Sequence, residues 1–482
     1  MPTSTPSSRR SLDRWYVFGI LVVSIVFGGF VLFKSAYLDR PQGDFGVFAR
    51  AGWAIRQGGE PLYQMTDDNH WHYCYPPLFA IAVTPLADPP RRQTAMTVAT
   101  VVGLSASPTP YSPLLAATVT PANESPFLED TGHYLPYPVS VVLFYCFSFG
   151  LLVFVVRLLG STVEGMLPKA EGDAAAHRRW WTLRLYPVLA CVVPIGLTLM
   201  RGQVQILLLL MLSGFIVAMV RGRRFTAGLC LSAAISLKLF PAFLLIAPLV
   251  RRDWRCLTGS AVGLVVGLVL IPVAVIGPSR TLGIYKDYSR VFIEPVLGLG
   301  SDPLREKELV NATATQSQSF QVILHKTIYL GRADIPPQPA GWVKLVHLLI
   351  GATMTFALFR GEAGLGRASG QLLFGKLVLL TMVMVMVCPV CHLHYFIVTL
   401  PLFMIVRARM ETKSDWRGYR FWVVLTWAFI LALSIPMIPS VLILRDVGVP
   451  LAGAFACWVA GLVALWKEPV EAQTPQALGQ AA

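Results

Sequence analysis

Trp15-Tyr16-Val17-Phe18-Gly19-Ile20-Leu21-Val22-Val23-Ser24-Ile25-Val26-Phe27-Gly28-Gly29-Phe30-Val31-Leu32-Phe33-Lys34-Ser35-Ala36-Tyr37 holds one charge, close to its end. About 20 apolar residues suffice for a helix to cross a bilayer. Arg9, Arg10 and Arg14 precede the run and predict a cytoplasmic N-terminus. The run is too long for the apolar core of a signal peptide, so it reads as an anchor. The chain then emerges on the outer side, and Asp44 lies there, next to the membrane surface.

The rest of the chain repeats this pattern. Of 482 residues, 55% are hydrophobic and 14% charged, against roughly a quarter charged in soluble domains. The net charge of +14 does not point to nucleic acid, because the positive residues sit in short loops between apolar runs. Arg221, Arg223 and Arg224 form one loop, and Arg251, Arg252 and Arg255 a second. Arg407, Arg409, Lys413, Arg417 and Arg420 form a third. This is the positive-inside distribution of a multi-pass membrane protein. Most of the eight cysteines lie in or at apolar runs, where cysteine behaves as a small hydrophobe. Cys74, Cys388 and Cys391 sit near outer loops, and pairing among them is left open.

Apolar runs occur near 15–37, 75–88, 93–106, 138–159, 183–200, 205–220, 225–250, 256–277, 341–359, 371–388, 393–406, 421–438 and 449–466. The expected fold is all-α: a polytopic helical bundle of ~11–14 membrane segments with both termini inside. The chain forms one integrated domain, 1–466, followed by a disordered cytoplasmic tail, 467–482. The 225–250 run has basic clusters at both ends and Lys238-Leu239-Phe240-Pro241 in its middle. A helical hairpin or re-entrant pair, with Lys238 near the outer apex, satisfies both facts. The same reasoning predicts a hairpin over 75–106, turning at Pro89-Pro90-Arg91-Arg92. Outward loops are expected at 38–74, 107–137 and 278–340, the last with short helices.

Chemistry-bearing residues gather in these outer stretches. Asp44 opens a segment in which Arg50, Phe48, Trp53 and Ile55 suit an amphipathic helix lying on the membrane. Gly58-Gly59 ends it, beside Glu60. Trp71, Tyr73 and Tyr75 read as an interfacial aromatic belt. Arg201-Gly202-Gln203-Val204-Gln205 lies between two apolar runs, where polar residues are costly and usually functional. A lone Lys238 among apolar residues costs about 2.5–3.5 kcal/mol on insertion scales, and a phosphate partner would offset this. Gln316-Ser317-Gln318-Ser319-Phe320 is uninformative alone. Cys388-Pro389-Val390-Cys391-His392-Leu393-His394-Tyr395 fits the short C-x-x-C-H haem pattern and a crude metal site. A polar patch around His394 is the favoured reading, and no metal or cofactor is expected.

In this order the pieces resemble glycosyltransferase family 87. They are Asp44 with Gly58-Gly59-Glu60-Pro61-Leu62-Tyr63, Tyr75-Pro76-Pro77-Leu78, Thr84-Pro85-Leu86-Ala87, Gly202-Gln203-Val204-Gln205, Ala227-Gly228-Leu229, Leu237-Lys238-Leu239-Phe240-Pro241 and Arg251-Arg252-Asp253-Trp254-Arg255. The resemblance is firmest over about 40–260. The chain departs from the family at Ser317-Gln318-Ser319-Phe320, where Asn-Gln-Ser-Leu is frequent. Around Cys388–His394 it keeps Pro389 and His394 of a Ser-Pro-x-Ser-Trp-x-His pattern and lacks the Trp.

The resemblance implies a GT-C fold and transfer of a hexose, typically mannose, from a polyprenyl-phosphate sugar. The acceptor would be a hydroxyl of a cell-envelope glycan or glycolipid at the outer face of the cytoplasmic membrane. It implies Asp44 as general base. Lys238 and Arg201 would then stabilise the donor phosphate, with Gln203, Gln318, His394, Glu60, Arg50 and Tyr75 as further binding residues. A transporter or lipid flippase is the alternative. It calls for charges along a midplane path and repeat symmetry, whereas this chain concentrates polarity at one mouth and shows no fixed-period repeat.

Overall fold

The computed structural model describes residues 6–36, 43–64, 71–89, 132–297, 316–332, 334–360, 370–412 and 416–466, and single positions 299 and 309. Among these the chain is helical, with no named strand. In order the helices are α1 Pro6–Ala36, α2 Gly43–Arg56, α3 Pro77–Ala82, α4 Tyr137–Glu164, α5 Asp173–Ala190, α6 Val192–Arg201, α7 Gln205–Val220, α8 Arg224–Leu237, α9 Ile246–Val250, α10 Trp254–Val265 and α11 Ile271–Ile276. They continue as α12 Pro278–Tyr288, α13 Glu294–Leu297, α14 Phe320–Ile328, α15 Gly341–Phe359, α16 Gly370–Val387, α17 Leu400–Thr412, α18 Trp416–Ser434, α19 Ile443–Asp446 and α20 Val449–Trp466. Eight helical stretches are long and apolar enough to span a bilayer; α5 and α6, bent by 67°, make one further broken span, and α7, α8 and Phe240–Val250 are shorter apolar helices.

Side-chain contacts define one end of this bundle. Arg224 pairs with Asp253 at 3.3 Å, Arg184 with Glu164 at 3.1 Å, and Arg179 with Glu411 at 3.0 Å. Arg221 donates to the Thr162 hydroxyl at 2.9 Å. The C-terminus of α4, the start of α5, the α7–α8 and α9–α10 turns and the end of α17 therefore meet at one end, which carries the basic clusters. Tyr16 and Trp181 place their rings 4.9 Å apart, which brings the start of α1 to the same end. Leu465 lies against Gly375, so α20 also finishes there.

The hairpin over 225–250 is present. The helix α8 ends where Lys238 turns extended (φ −144°, ψ 138°). Phe240–Leu245 forms a 3₁₀ turn and α9 completes the return. With α8 outbound and 240–250 inbound, α10 starts beside α8 and runs parallel to it. Small residues permit this. A Cβ on Gly228 would lie 2.1 Å from the Cys256 carbonyl oxygen, and one on Gly259 would lie 2.3 Å from that of Phe225. Gly263 and Gly267 meet Ser232 and Ser236 in register. This small-residue seam is how membrane helices approach closely without an aqueous hydrophobic drive.

Three expectations are corrected. The segment that Asp44 opens is helical over Gly43–Arg56 and is followed by Gly58 and Gly59 (φ +88° and +85°), but it does not lie on the membrane. Phe45 through Gly52, Ala54 and Ile55 are buried. Gly46, Ala49, Ala51, Gly52 and Ala54 leave little bulk on any face, so protein closes around α2. Phe45 packs on Tyr137 and Phe144, and Gly52 abuts the Val83 carbonyl. Tyr73 is likewise core rather than belt: its hydroxyl donates to the Pro76 carbonyl at 2.8 Å and accepts from the Ala80 N–H. The first half of the expected 75–106 hairpin is α3 plus the 3₁₀ turn Thr84–Leu86, too short to cross a bilayer. Its second half, the tail 467–482 and most of 107–137 lie outside the described residues. The 278–340 loop contains α12, α13 and α14, as expected.

Candidate active site

At the end of the bundle opposite the basic clusters, α2, the α6–α7 turn, the hairpin apex and two loop segments meet. Asp44 occupies the first turn of α2, where a carboxylate complements the helix dipole. Gly43 places the start of this helix against the backbone of Arg201; a Cβ there would lie 3.7 Å from the Arg201 carbonyl oxygen. Asp44 is half-buried, and its charge acts on Lys238, Tyr75 and Tyr395.

Lys238 is 2% exposed. Its ammonium donates to the Tyr395 hydroxyl at 3.3 Å and sits 4.5 Å from the Tyr395 ring centre and 4.7 Å from that of Tyr75. Phe240 stacks on Tyr395 from the hairpin side at 5.7 Å. Aromatic faces stabilise a cation by about 0.5–2 kcal/mol, less than burial of an ammonium costs. Three N–H donors are available and Tyr395 takes one. Among the described residues no carboxylate lies within ion-pair distance of Lys238.

The 316–319 strap is held against the 388–392 turn. An antiparallel bridge joins Ser317 to His392. The Cys391 N–H donates to the Ser317 hydroxyl at 3.3 Å, and Ser319 donates to the Pro389 carbonyl at 3.0 Å. The Ser319 oxygen also caps α14 through the Val322 N–H. Gln318 is fully buried and its amide N–H donates to the Arg445 carbonyl at 2.9 Å. His392 and His394 stack with centroids 5.5 Å apart, and His394 meets the Tyr395 ring at 4.8 Å. Burial, then the nearby Arg201 and Lys238 charges, push the His392 imidazolium down to about 3. That ring is neutral at physiological pH. Cys74, Cys388 and Cys391 are free thiols, and the described residues hold no cluster of three or more metal-ligating side chains.

Arg201, Gln316, His392, His394 and Arg445, with Leu197, Leu393 and Met437, line a cavity of about 90 Å³. Arg201 donates to the Gln316 side-chain oxygen at 3.0 Å. Several buried polar atoms at this end have no partner: Gln203 Oε1, both amide atoms of Gln205, His392 Nδ1 and His394 Nε2. Such atoms are normally satisfied; they also occur elsewhere, at Arg184 Nε and Ser213 Oγ among others, so at this end they are compatible with a polar ligand without marking one.

The structure thus brings Asp44, Tyr75, Arg201, Gln203, Lys238 and His394 to one end of the bundle. Gln318 is there too, occupied in holding the strap. Arg50 is elsewhere: it is buried and ion-paired with Asp88, also donating to the Asp88 carbonyl at 3.0 Å. Glu60 is exposed on the turn after α2, where the neighbouring Tyr63 packs 5.5 Å from Tyr288 of α12. Tyr395, His392, Gln316 and Gln205 stand inside motifs quoted from the sequence but were given no role there, and Arg445 was not named. A signal for Arg445 was present, since Arg445-Asp446 are the only Lys, Arg, Asp or Glu between Arg420 and Lys467.

The sequence profile of glycosyltransferase family 87 matches residues 109–389. The chain belongs to that family. The matched span of this family 87 glycosyltransferase contains Arg201, Gln203, Lys238 and Gln318, and reaches Pro389 of the C-terminal turn. It begins beyond Asp44 and stops before His394, although the Asp44 charge acts on Lys238 and His394 shares a cavity with Arg201 and Gln316, all inside it. No curated protein and no solved structure matches the chain.

Proposed function

We propose that this glycosyltransferase moves a hexose, mannose by preference, from a polyprenyl-phosphate donor to a hydroxyl of a cell-envelope glycan or glycolipid. The reaction takes place at the outer face of the cytoplasmic membrane. The sidedness follows from the basic end of the bundle facing the cytoplasm. Asp44 accepts the acceptor's hydroxyl proton as that oxygen attacks the anomeric carbon. The bond from that carbon to the phosphate oxygen breaks, and its electron pair leaves with the lipid phosphate. A phosphate leaving group needs charge stabilisation more than a proton, and Lys238 and Arg201 supply it.

The observation that carries this reading is Lys238: a buried ammonium, held by aromatic faces and a hydroxyl, within electrostatic reach of Asp44 and lacking a carboxylate of its own. Polarity confined to one mouth favours an enzyme over a transporter, which needs a polar route through the midplane. The test is a transfer assay with purified protein, polyprenyl-phosphate hexoses and envelope acceptors, comparing wild type with Asp44→Asn. Full activity in the variant would remove Asp44 from the mechanism, and Glu60 would be the next carboxylate to examine.

A further inference from the structure

We infer that Arg445 is the second guanidinium of a seat for a lipid-borne phosphate, in the cavity it shares with Arg201. The inference rests on the proposed lipid-phosphate donor and adds to Arg201, already a candidate for its phosphate, a residue outside every quoted motif, Arg445.

The cavity of about 90 Å³ has room for a phosphate group. Its polar lining consists of two guanidinium groups, one amide and two imidazoles. Among the described residues that line it there is no Asp or Glu. Arg201 and Arg445 come from the end of α6 and from α19, yet they lie close enough for each charge to act on the other. Burial, then the facing Arg201, lowers the Arg445 pKa from its ordinary value. Both arginines are only partly buried, but like charges that face each other across a partly desolvated cavity repel, and an anion between them relieves this.

The carboxylate next in sequence does not resolve this. Asp446 pairs with Lys326 at 2.8 Å. Gln318 meanwhile holds the Arg445 carbonyl at 2.9 Å, which fixes the backbone from which the guanidinium projects. Arg445 Nε is buried without a partner. His394 is 2% exposed and its Nε2 also has none. The neighbouring Tyr395 connects this cavity to Lys238 through the 3.3 Å hydrogen bond.

The charge arithmetic suits a leaving group. A sugar phosphodiester carries one negative charge. As the acceptor oxygen bonds to the anomeric carbon, the carbon–oxygen bond to phosphate breaks and its electron pair stays on phosphate. The hydroxyl proton passes to Asp44, and the product monoester approaches two negative charges. Two guanidinium groups that hold the phosphate therefore interact more strongly as the bond breaks, which raises kcat rather than affinity alone.

The test uses full-length protein in nanodiscs, with polyprenyl monophosphate and inorganic phosphate as probes. Wild type should bind polyprenyl monophosphate. Arg445→Gln should bind it about 10- to 100-fold more weakly, the range for loss of charge-assisted hydrogen bonds. Its kcat for transfer should fall comparably, with the acceptor KM unchanged. Arg445→Lys keeps the charge but loses the bidentate fork, and should recover part of the binding; it also serves if Arg445→Gln does not fold. Equal binding of polyprenyl monophosphate by wild type and either variant would overturn the inference. Protection of wild type but not Arg445→Gln by millimolar inorganic phosphate, with lipid binding unchanged, would make the seat one for free phosphate and also overturn it. Arg445-dependent binding of polyprenyl monophosphate without transfer from any polyprenyl-phosphate sugar would refute the donor reading and leave the seat standing. Transfer that is indifferent to Arg445 would do the reverse.

Discussion

The two ends of the bundle treat their cations differently. At the basic end, Glu411 lies between Arg179 and Arg407, at 3.0 and 2.9 Å, and accepts a further hydrogen bond from Thr182. Arg184 has Glu164 and Arg224 has Asp253. At the other end Lys326 pairs with Asp446, but Lys238 has two aromatic faces and a tyrosine hydroxyl, and Arg201 has an amide. An ion pair neutralises charge within the fold and ties elements together. A buried cation left with neutral partners costs the fold stability and retains its capacity to bind an anion. On this comparison the basic end is structural and the opposite end is the proposed site.

Substitutions at each end test the contrast. The largest effect is expected for Asp44→Asn, which keeps the shape and removes the base: kcat for sugar transfer should fall on the order of 10²–10⁴-fold. The melting temperature should stay near wild type, because Asp44 is partly exposed. Lys238→Met should raise the donor KM by about 10- to 100-fold, the loss of a charge-assisted contact, and lower kcat as well, because the phosphate gains charge as its bond to the sugar breaks. Removing a desolvated cation should leave the melting temperature unchanged or higher. Glu411→Gln should act the other way round. It leaves Arg179 and Arg407 facing each other and should cost about 1–3 kcal/mol of stability, read by thermal unfolding, with donor and acceptor kinetics unchanged below the melting range. A Lys238→Met protein that unfolds, or a Glu411→Gln protein that folds normally but loses catalysis, would break the comparison.

The smallest effect concerns pH. The folded His392 value of about 3 lies below its ordinary 6.5, so between these values the unfolded chain binds the extra proton. This contribution to stability is complete above about pH 6.5 and is lost as pH falls toward 3. His392→Asn should therefore flatten the fall in melting temperature between pH 7 and pH 4. An unchanged slope would show that the acid sensitivity arises elsewhere.

Much of the membrane architecture was legible because charge placement is a strong constraint. Basic residues at both ends of 225–250 require a return to the same side, and the Arg224–Asp253 ion pair at 3.3 Å realises it. Burial of α2 was not legible. Phe48, Trp53 and Ile55 have the spacing of an interfacial helix, and an apolar face reads the same whether lipid or protein covers it. Its glycines and alanines carried the missing information, which has meaning only once a partner such as the Val83–Thr84 backbone is known. Arg50 reads as a ligand-binding cation until Asp88 is brought to it from outside the helix. Arg445 was overlooked for the converse reason. A charge in a connection between two apolar helices has an ordinary explanation in solvent exposure, and its approach to Arg201 exists only in the packed bundle.

We propose that the end where Lys238 and Arg201 lack carboxylate partners transfers sugar from a lipid phosphate. The most direct test is product analysis with wild-type protein in proteoliposomes, supplied with a panel of labelled polyprenyl-phosphate hexoses and envelope acceptors. The account predicts a new glycoside and free polyprenyl phosphate in equal amounts, greatest with the mannose donor. Transfer from a nucleotide sugar in the absence of any lipid donor, or no glycoside from any polyprenyl-phosphate hexose, would contradict it.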